Sequence, residues 1–140
     1  MMWRYVKKLS SEESIKGFEW MVGLALPDAF KSVVREYNGA RPKRRLFDTE
    51  ETQERALKAL LSFNRSDKEN VWGAYLSVEP EMNGACIPFA VDEDGNFVCF
   101  DRKRWVVWLD HETLKIELVA ESFDEFLEKL RLDADYYRDV

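Results

Sequence analysis

Histidine is almost missing from this chain of 140 residues: His111 is its single example. Acid–base catalysis and nucleophilic triads lean on histidine, so such chemistry would have to use His111 or do without. Two cysteines, Cys86 and Cys99, form no Cys-x-x-Cys pair and with one histidine cannot supply a usual zinc set. No glycine-rich phosphate loop and no Gly-x-Ser-x-Gly elbow occurs. No run approaches the roughly 20 apolar residues of a membrane-spanning helix. Met1 to Ser10 carries Trp3, Arg4, Lys7 and Lys8 in place of the apolar stretch of a secretion signal. A cytosolic, membrane-free location with both thiols free is therefore expected.

Charge and aromatic surface are what the chain has in quantity. Nine Phe, five Trp and five Tyr supply a core large enough for a domain of this length to fold without disulfides or metals. Acids outnumber bases 27 to 21, a net charge of −6, which argues against a general nucleic-acid binder and suits a basic partner.

The N-terminal part reads as helical. Ser10 with Glu13 has the spacing of a capping box, and Ile15, Phe18 and Val22 follow on one face. Pro27 suits the first position of a second helix carrying Phe30, Val33, Val34 and Tyr37, which Asn38-Gly39 ends. Arg41 to Arg45 reads as a basic loop, and Leu46-Phe47 as a short strand. The residues from Asp48 to Leu61 read as a third helix with an acidic first turn and a stripe of Leu57, Leu60 and Leu61. A short helix is expected from Val71 to Pro80.

After Gly84 the pattern changes. Cys86–Asp92, Asn96–Asp101, Trp105–Asp110 and Lys115–Glu121 read as four strands, apolar on both alternations and so covered in part on both faces. Asp94-Gly95 marks a hairpin turn. With Glu93 facing Asn96, Cys99 falls opposite Ala90 and not Cys86, so no disulfide is expected. Ser122 with Glu125 makes a second capping box before the stripe Phe123, Phe126, Leu127 and Leu130. The acidic tail from Asp133 is expected to fray. Helices, then an antiparallel meander, then one helix describe a segregated α+β fold of one domain, residues 1–140.

Candidate chemistry has a structural reading at each place. Asp92 to Asn96 lacks the ligand spacing and the closing Glu of a calcium loop, and a hairpin turn explains it. Glu12-Glu13, Glu50-Glu51 and Asp124-Glu125 lie near expected helix starts, where the helix dipole accounts for them. Arg41 to Arg45 is the one basic cluster, either a solvated loop or a contact for an acidic patch or nucleic acid.

Together these residues carry a family likeness. Ile15, Phe18-Glu19, Gly23, Leu26-Pro27, Phe30 and Asn38-Gly39 resemble the opening of the SUKH superfamily of Smi/Knr-like proteins, with Ala40 where that family has a further glycine. Ile87-Pro88-Phe89-Ala90, Asp92, Gly95-Asn96, Cys99, Asp101, Trp108, Asp110-His111-Glu112, Ala120, Ser122-Phe123 and Phe126-Leu127 are similar in order and spacing to its bacterial branch. The resemblance implies an α+β fold with a mainly antiparallel sheet of about four to six strands flanked by helices. It implies no catalytic site and no cofactor. It also implies a protein-binding role, as an immunity protein that neutralises a cognate toxin, often a nuclease, or as a regulatory scaffold of the same fold.

Among the matching residues, Trp108 is expected to fill the core beside Phe97 or Phe100. His111 and Glu112 would either brace a turn or touch a partner. A basic toxin domain would meet acidic surface, and two stretches offer it. One is Asp92, Glu93 and Asp94, with His111 and Glu112. The other is Glu121, Asp124, Glu125 and Glu128, within a C-terminal segment of seven acids and three bases from Glu121 to Val140.

Overall fold

The computed structural model describes residues 2–134; residues 135–140 of the acidic tail lie outside the described residues. The elements run β1 (Trp3–Arg4), α1 (Glu13–Val22), α2 (Asp28–Tyr37), β2 (Arg41–Pro42), β3 (Arg44–Phe47), β4 (Arg55–Leu60), α3 (Val71–Met82), β5 (Ile87–Asp92), β6 (Phe97–Phe100), β7 (Val106–Leu109), β8 (Ile116–Ala120), α4 (Phe123–Lys129) and β9 (Arg131–Leu132). β1 and β2 form a small ribbon. The other strands make one antiparallel sheet of seven in the order β8-β7-β6-β5-β4-β3-β9. The expected α+β, mainly antiparallel fold is observed. Short pieces such as the two-residue β9 carry the strand number above the four to six expected.

The sheet curls into a half-barrel. Residues 48–54, which join β3 to β4, reach across to β8 at the far edge: the Leu118 amide donates to Glu50 Oε1 at 2.5 Å, and the Glu51 amide to Glu117 Oε1 at 2.9 Å. Glu50 thereby covers an outward amide of an edge strand. α4 leaves β8 at one edge and delivers β9 to the other. Its Phe123 and Phe126 are buried in the concave face.

Phe30 of α2 is the centre of that core. It is fully buried, and its ring lies 5.1 to 5.3 Å from those of Phe100, Phe123 and Phe89 in edge-to-face contacts. α1 packs Ile15, Phe18 and Val22 inward and leaves Trp20 87% exposed on its outer face. On the opposite face of the sheet, Val78 of α3 covers Cys86, Cys99, Val107 and Leu109. The sheet is thus covered in part on both sides, as the double alternation predicts.

Four expectations are corrected. The helix expected over Asp48–Leu61 is a loop followed by the strand β4. Ala, Leu, Lys and Arg favour helix, but pairing with strands on both sides outweighs that preference. A register shift between Leu57 and Ala59 lets Leu57, Ala59 and Leu60 all be buried, which imitates helical spacing. The Ser10–Glu13 capping box does not form: Ser10 donates to Asn64 Oδ1, while the Glu13 amide donates to Ser11 Oγ. The basic segment Arg41 to Arg45 is mostly strand, not loop. Finally, the β5–β6 hairpin pairs Val91 with Phe97 and Pro88 with Cys99. The Asp92 amide donates to Asn96 O at 2.8 Å, so Asp92 and not Glu93 faces Asn96. That register, with a β-bulge between Pro88 and Ala90, packs Cys99 in one buried cluster with Cys86, both thiols being free; burial pushes the Cys99 thiol well above its ordinary pKa.

Other sequence signals are realised with small displacements. Pro27 precedes α2 as its cap, and Gly39, not Asn38, takes the left-handed conformation (φ 67°). Asn38 is buried and its side chain ties three segments together: it donates to Lys7 O and Ser62 Oγ and accepts from the Phe63 amide. α3, capped by Asn70, continues through Pro80 to Met82. Ser122 caps α4 by accepting from the Glu125 amide.

Two glycines separate strain from space. Gly84 has φ +76°, and a Cβ there would lie 2.9 Å from Arg102 Nη2, a guanidinium whose Nε also bonds Gly84 O. Gly17 is helical and open, with nothing within 4 Å of an added Cβ. Gly84→Ala is expected to lower unfolding stability by about 1–3 kcal/mol and Gly17→Ala to raise it by about 0.5–1 kcal/mol, both read from urea denaturation midpoints. Equal effects at the two sites would contradict the assignment.

Candidate functional site: an acidic pole held by a buried network

Antiparallel order places three connections at one end of the sheet: residues 48–54, the 93–95 turn and the 110–115 turn. Contacts join them. The Glu93 amide donates to Ala56 O, His111 bonds Asn96, and Glu51 pairs with Lys115. This end presents exposed Glu50, Glu51, Glu54, Glu93, Asp94 and Glu112. Cations there are engaged: Lys115 with Glu51, Arg45 with Glu93, and Arg55 turned inward.

Asp92 is the buried root of this end. It is 2% exposed, and it accepts from three fixed donors. Oδ1 accepts from the Asp94 and Asn96 amides at 2.9 and 2.8 Å, and Oδ2 accepts from Trp108 Nε1 at 2.9 Å. Three donors compensate the cost of burying the carboxylate. Trp108 is buried opposite Val98, and the Arg55 guanidinium carbon stands 3.4 Å above its ring. Arg55 also donates to Thr49 Oγ1 and Thr52 Oγ1 and lies 3.6 Å from Glu117 Oε2. Glu117 is 3% exposed. Burial pushes its carboxyl up, but hydrogen bonds from Thr49 and the Glu51 amide, with the charges of Arg55 and Lys115, hold it below the usual glutamate range.

His111 braces the same end. Its amide donates to Asn96 Oδ1 at 3.1 Å, and its Nδ1 lies 2.7 Å from the same oxygen. An acceptor there means that Nδ1 carries the proton, leaving Nε2 to face Glu112 at 3.6 Å. Glu112 is 79% exposed at its side chain. Asp110 accepts from the Glu112 and Thr113 amides, and those bonds lower its pKa.

Beside the pole lies a concavity of about 360 Å³ between α3 and the two hairpin turns, lined by Val78, Phe97, Leu114, Glu81, His111 and Glu112 among others. Its floor is apolar and its rim carries two acids.

The acidic stretches suggested by sequence therefore separate. Glu93, Asp94, His111 and Glu112 come together at the pole, and Asp92 lies beneath them. Glu121 follows β8 at the sheet's other end, and Asp124, Glu125 and Glu128 ride on α4. Glu125 pairs with Lys129 at 2.7 Å. Glu50, Glu51 and Glu54 were not among the expected contacts, because the segment reads as a helix start; its two threonines were the available sign of a loop. Among the described residues no group of three or more His, Cys, Asp and Glu is arranged to hold a metal ion, and no helix is long and apolar enough to cross a membrane.

A curled antiparallel half-barrel with helices packed against it and three loops gathered at one end defines an α+β domain. The chain belongs to the SMI1/KNR4 family (SUKH-1), whose sequence profile matches residues 9–129. That family includes immunity proteins, and its members are generally non-catalytic immunity or regulatory proteins. No curated protein matches the chain.

Two outcomes test the network. Asp92→Asn places an amide against at least one N–H donor and is expected to cost about 3 kcal/mol in urea denaturation, whereas Asp94→Asn costs less than about 0.5 kcal/mol. Glu117 contributes stability above the usual carboxylate range, and that contribution is lost as pH falls through about 4–5 toward its lowered value. The stability gap between the unaltered protein and Glu117→Gln should therefore narrow between about pH 7 and about pH 3. A gap that is constant with pH would remove the charge from this account.

Proposed function

We propose that this chain is a non-catalytic immunity protein that binds a basic toxin domain through its acidic pole. The observation that carries the reading is the convergence of three acid-bearing loops on one rigid end of the sheet, beside an apolar-floored concavity. Surplus negative charge accelerates encounter with a basic surface. The concavity takes an apolar or aromatic anchor, and such buried anchors carry most of the energy of an interface. Neutralisation then works by occlusion. A toxin that handles nucleic acid needs an exposed basic cleft, which is the surface this pole complements.

The test begins with capture of the partner by the tagged full chain, including products of neighbouring genes, followed by titration of variants. Asp94→Lys with Glu112→Lys is expected to weaken binding by about tenfold or more and to flatten its salt dependence. Reversal of Glu121 and Asp124 should change affinity less than about twofold. Suppression of the partner's toxicity on binding supports the immunity role. A stable partner with no toxicity to suppress would assign the chain to regulatory scaffolds, and unchanged affinity in the pole variants would remove the acidic pole from the interface.

A further inference from the structure

Most of the arginines in this protein are engaged. Arg35 pairs with Glu12, Arg55 with Glu117 and Arg131 with Asp48, while Arg102 and Arg104 hold the backbone carbonyls of Gly84, Gly23 and Ala25. Lys43 and Arg44 differ: among the described residues neither has a carboxylate within ion-pair distance. Both line a groove of about 520 Å³ between the start of β3, α4 and β9, together with Met2, Leu127, Glu128 and Leu132. Met2 and Leu132 are 55% and 50% exposed, so the floor leaves apolar side chains in water. Just beyond it, exposed Arg41 sets its guanidinium 6.0 Å above the ring of Tyr5, itself 73% exposed.

We propose that this groove is a second interaction surface, distinct from the acidic pole, and that it takes an acidic peptide segment with an apolar anchor from another protein. The two halves of the lining call for the two halves of that ligand. An aliphatic or aromatic side chain covers Met2, Leu127 and Leu132, and carboxylates meet Lys43 and Arg44. Glu128, the one acid among the described lining residues, sets the direction: the segment's carboxylates lie away from α4, toward the β3 side. A nucleic acid fits less well. Its phosphates would meet Glu128 and an apolar floor within a chain of net charge −6.

The test uses the isotope-labelled full chain without any toxin, so its outcome is separate from that of the acidic pole. The probe is a short synthetic peptide in which Glu alternates with Leu, with a companion carrying Gln for Glu. Amide shifts are expected at Leu127, Glu128 and Leu132. The Gln peptide and the Lys43→Glu/Arg44→Glu variant should each weaken binding by about tenfold. Leu132→Ala, with both charges kept, should also weaken it, which reports the apolar half independently. Absent shifts at those amides, or unchanged affinity in both variants, would overturn the proposal. So would tighter binding of a single-stranded oligonucleotide, or occupation of the groove by a second copy of the chain in the absence of peptide.

Discussion

The carboxylate of Asp92 is the constraint on which the presenting end of this protein depends. A charge that is 2% exposed is stable only while each lone pair in use has a fixed donor, and the donors here come from one turn and the strand β7. Satisfying Asp92 fixes the 93–96 turn and holds Trp108 by its indole. Trp108 then offers its face to Arg55, and Arg55 holds the loop threonines and Glu117. Asn96 carries the constraint outward to His111. The acids of the pole are thus mounted on a backbone whose geometry is set from below, and under the proposed function this preorganisation lowers the ordering cost of binding.

The sequence reading was most successful where local and tertiary signals agree. The C-terminal strands, their Asp94-Gly95 turn and the Ser122 cap are legible because alternation, turn chemistry and capping point the same way. The residues from Asp48 to Leu61 were misread because strong helix formers are held in a strand by neighbours on both sides, with a bulge that mimics helical spacing. That misreading hid Glu50, Glu51 and Glu54. The hairpin register failed by one residue for a related reason: a turn dipeptide marks a turn but does not fix loop length, and one residue decides which side chains meet. A β-bulge between Pro88 and Ala90 adds a second residue of shift, so Cys99 faces Pro88 and packs in one cluster with Cys86.

Charge is distributed unevenly over the molecule. One end of the sheet concentrates acids whose nearby bases are already engaged, while Lys43 and Arg44, without an ion-pair partner among the described residues, lie where β3 begins. Other basic residues that look like surface charge in the sequence are internal fasteners. Arg102 and Arg104 clasp the link between α1 and α2 to the turn before β7. Net charge therefore describes how the molecule is approached, and only the pairing of each residue shows which charges remain for a partner.

Amide hydrogen exchange, comparing the free chain with its complex, tests the central claim most directly. Binding through the acidic pole should slow exchange in residues 48–54, 93–96 and 110–115, and leave α1 unchanged. Protection confined to α1, or to the α4 surface around Asp124 and Glu128, would contradict the account.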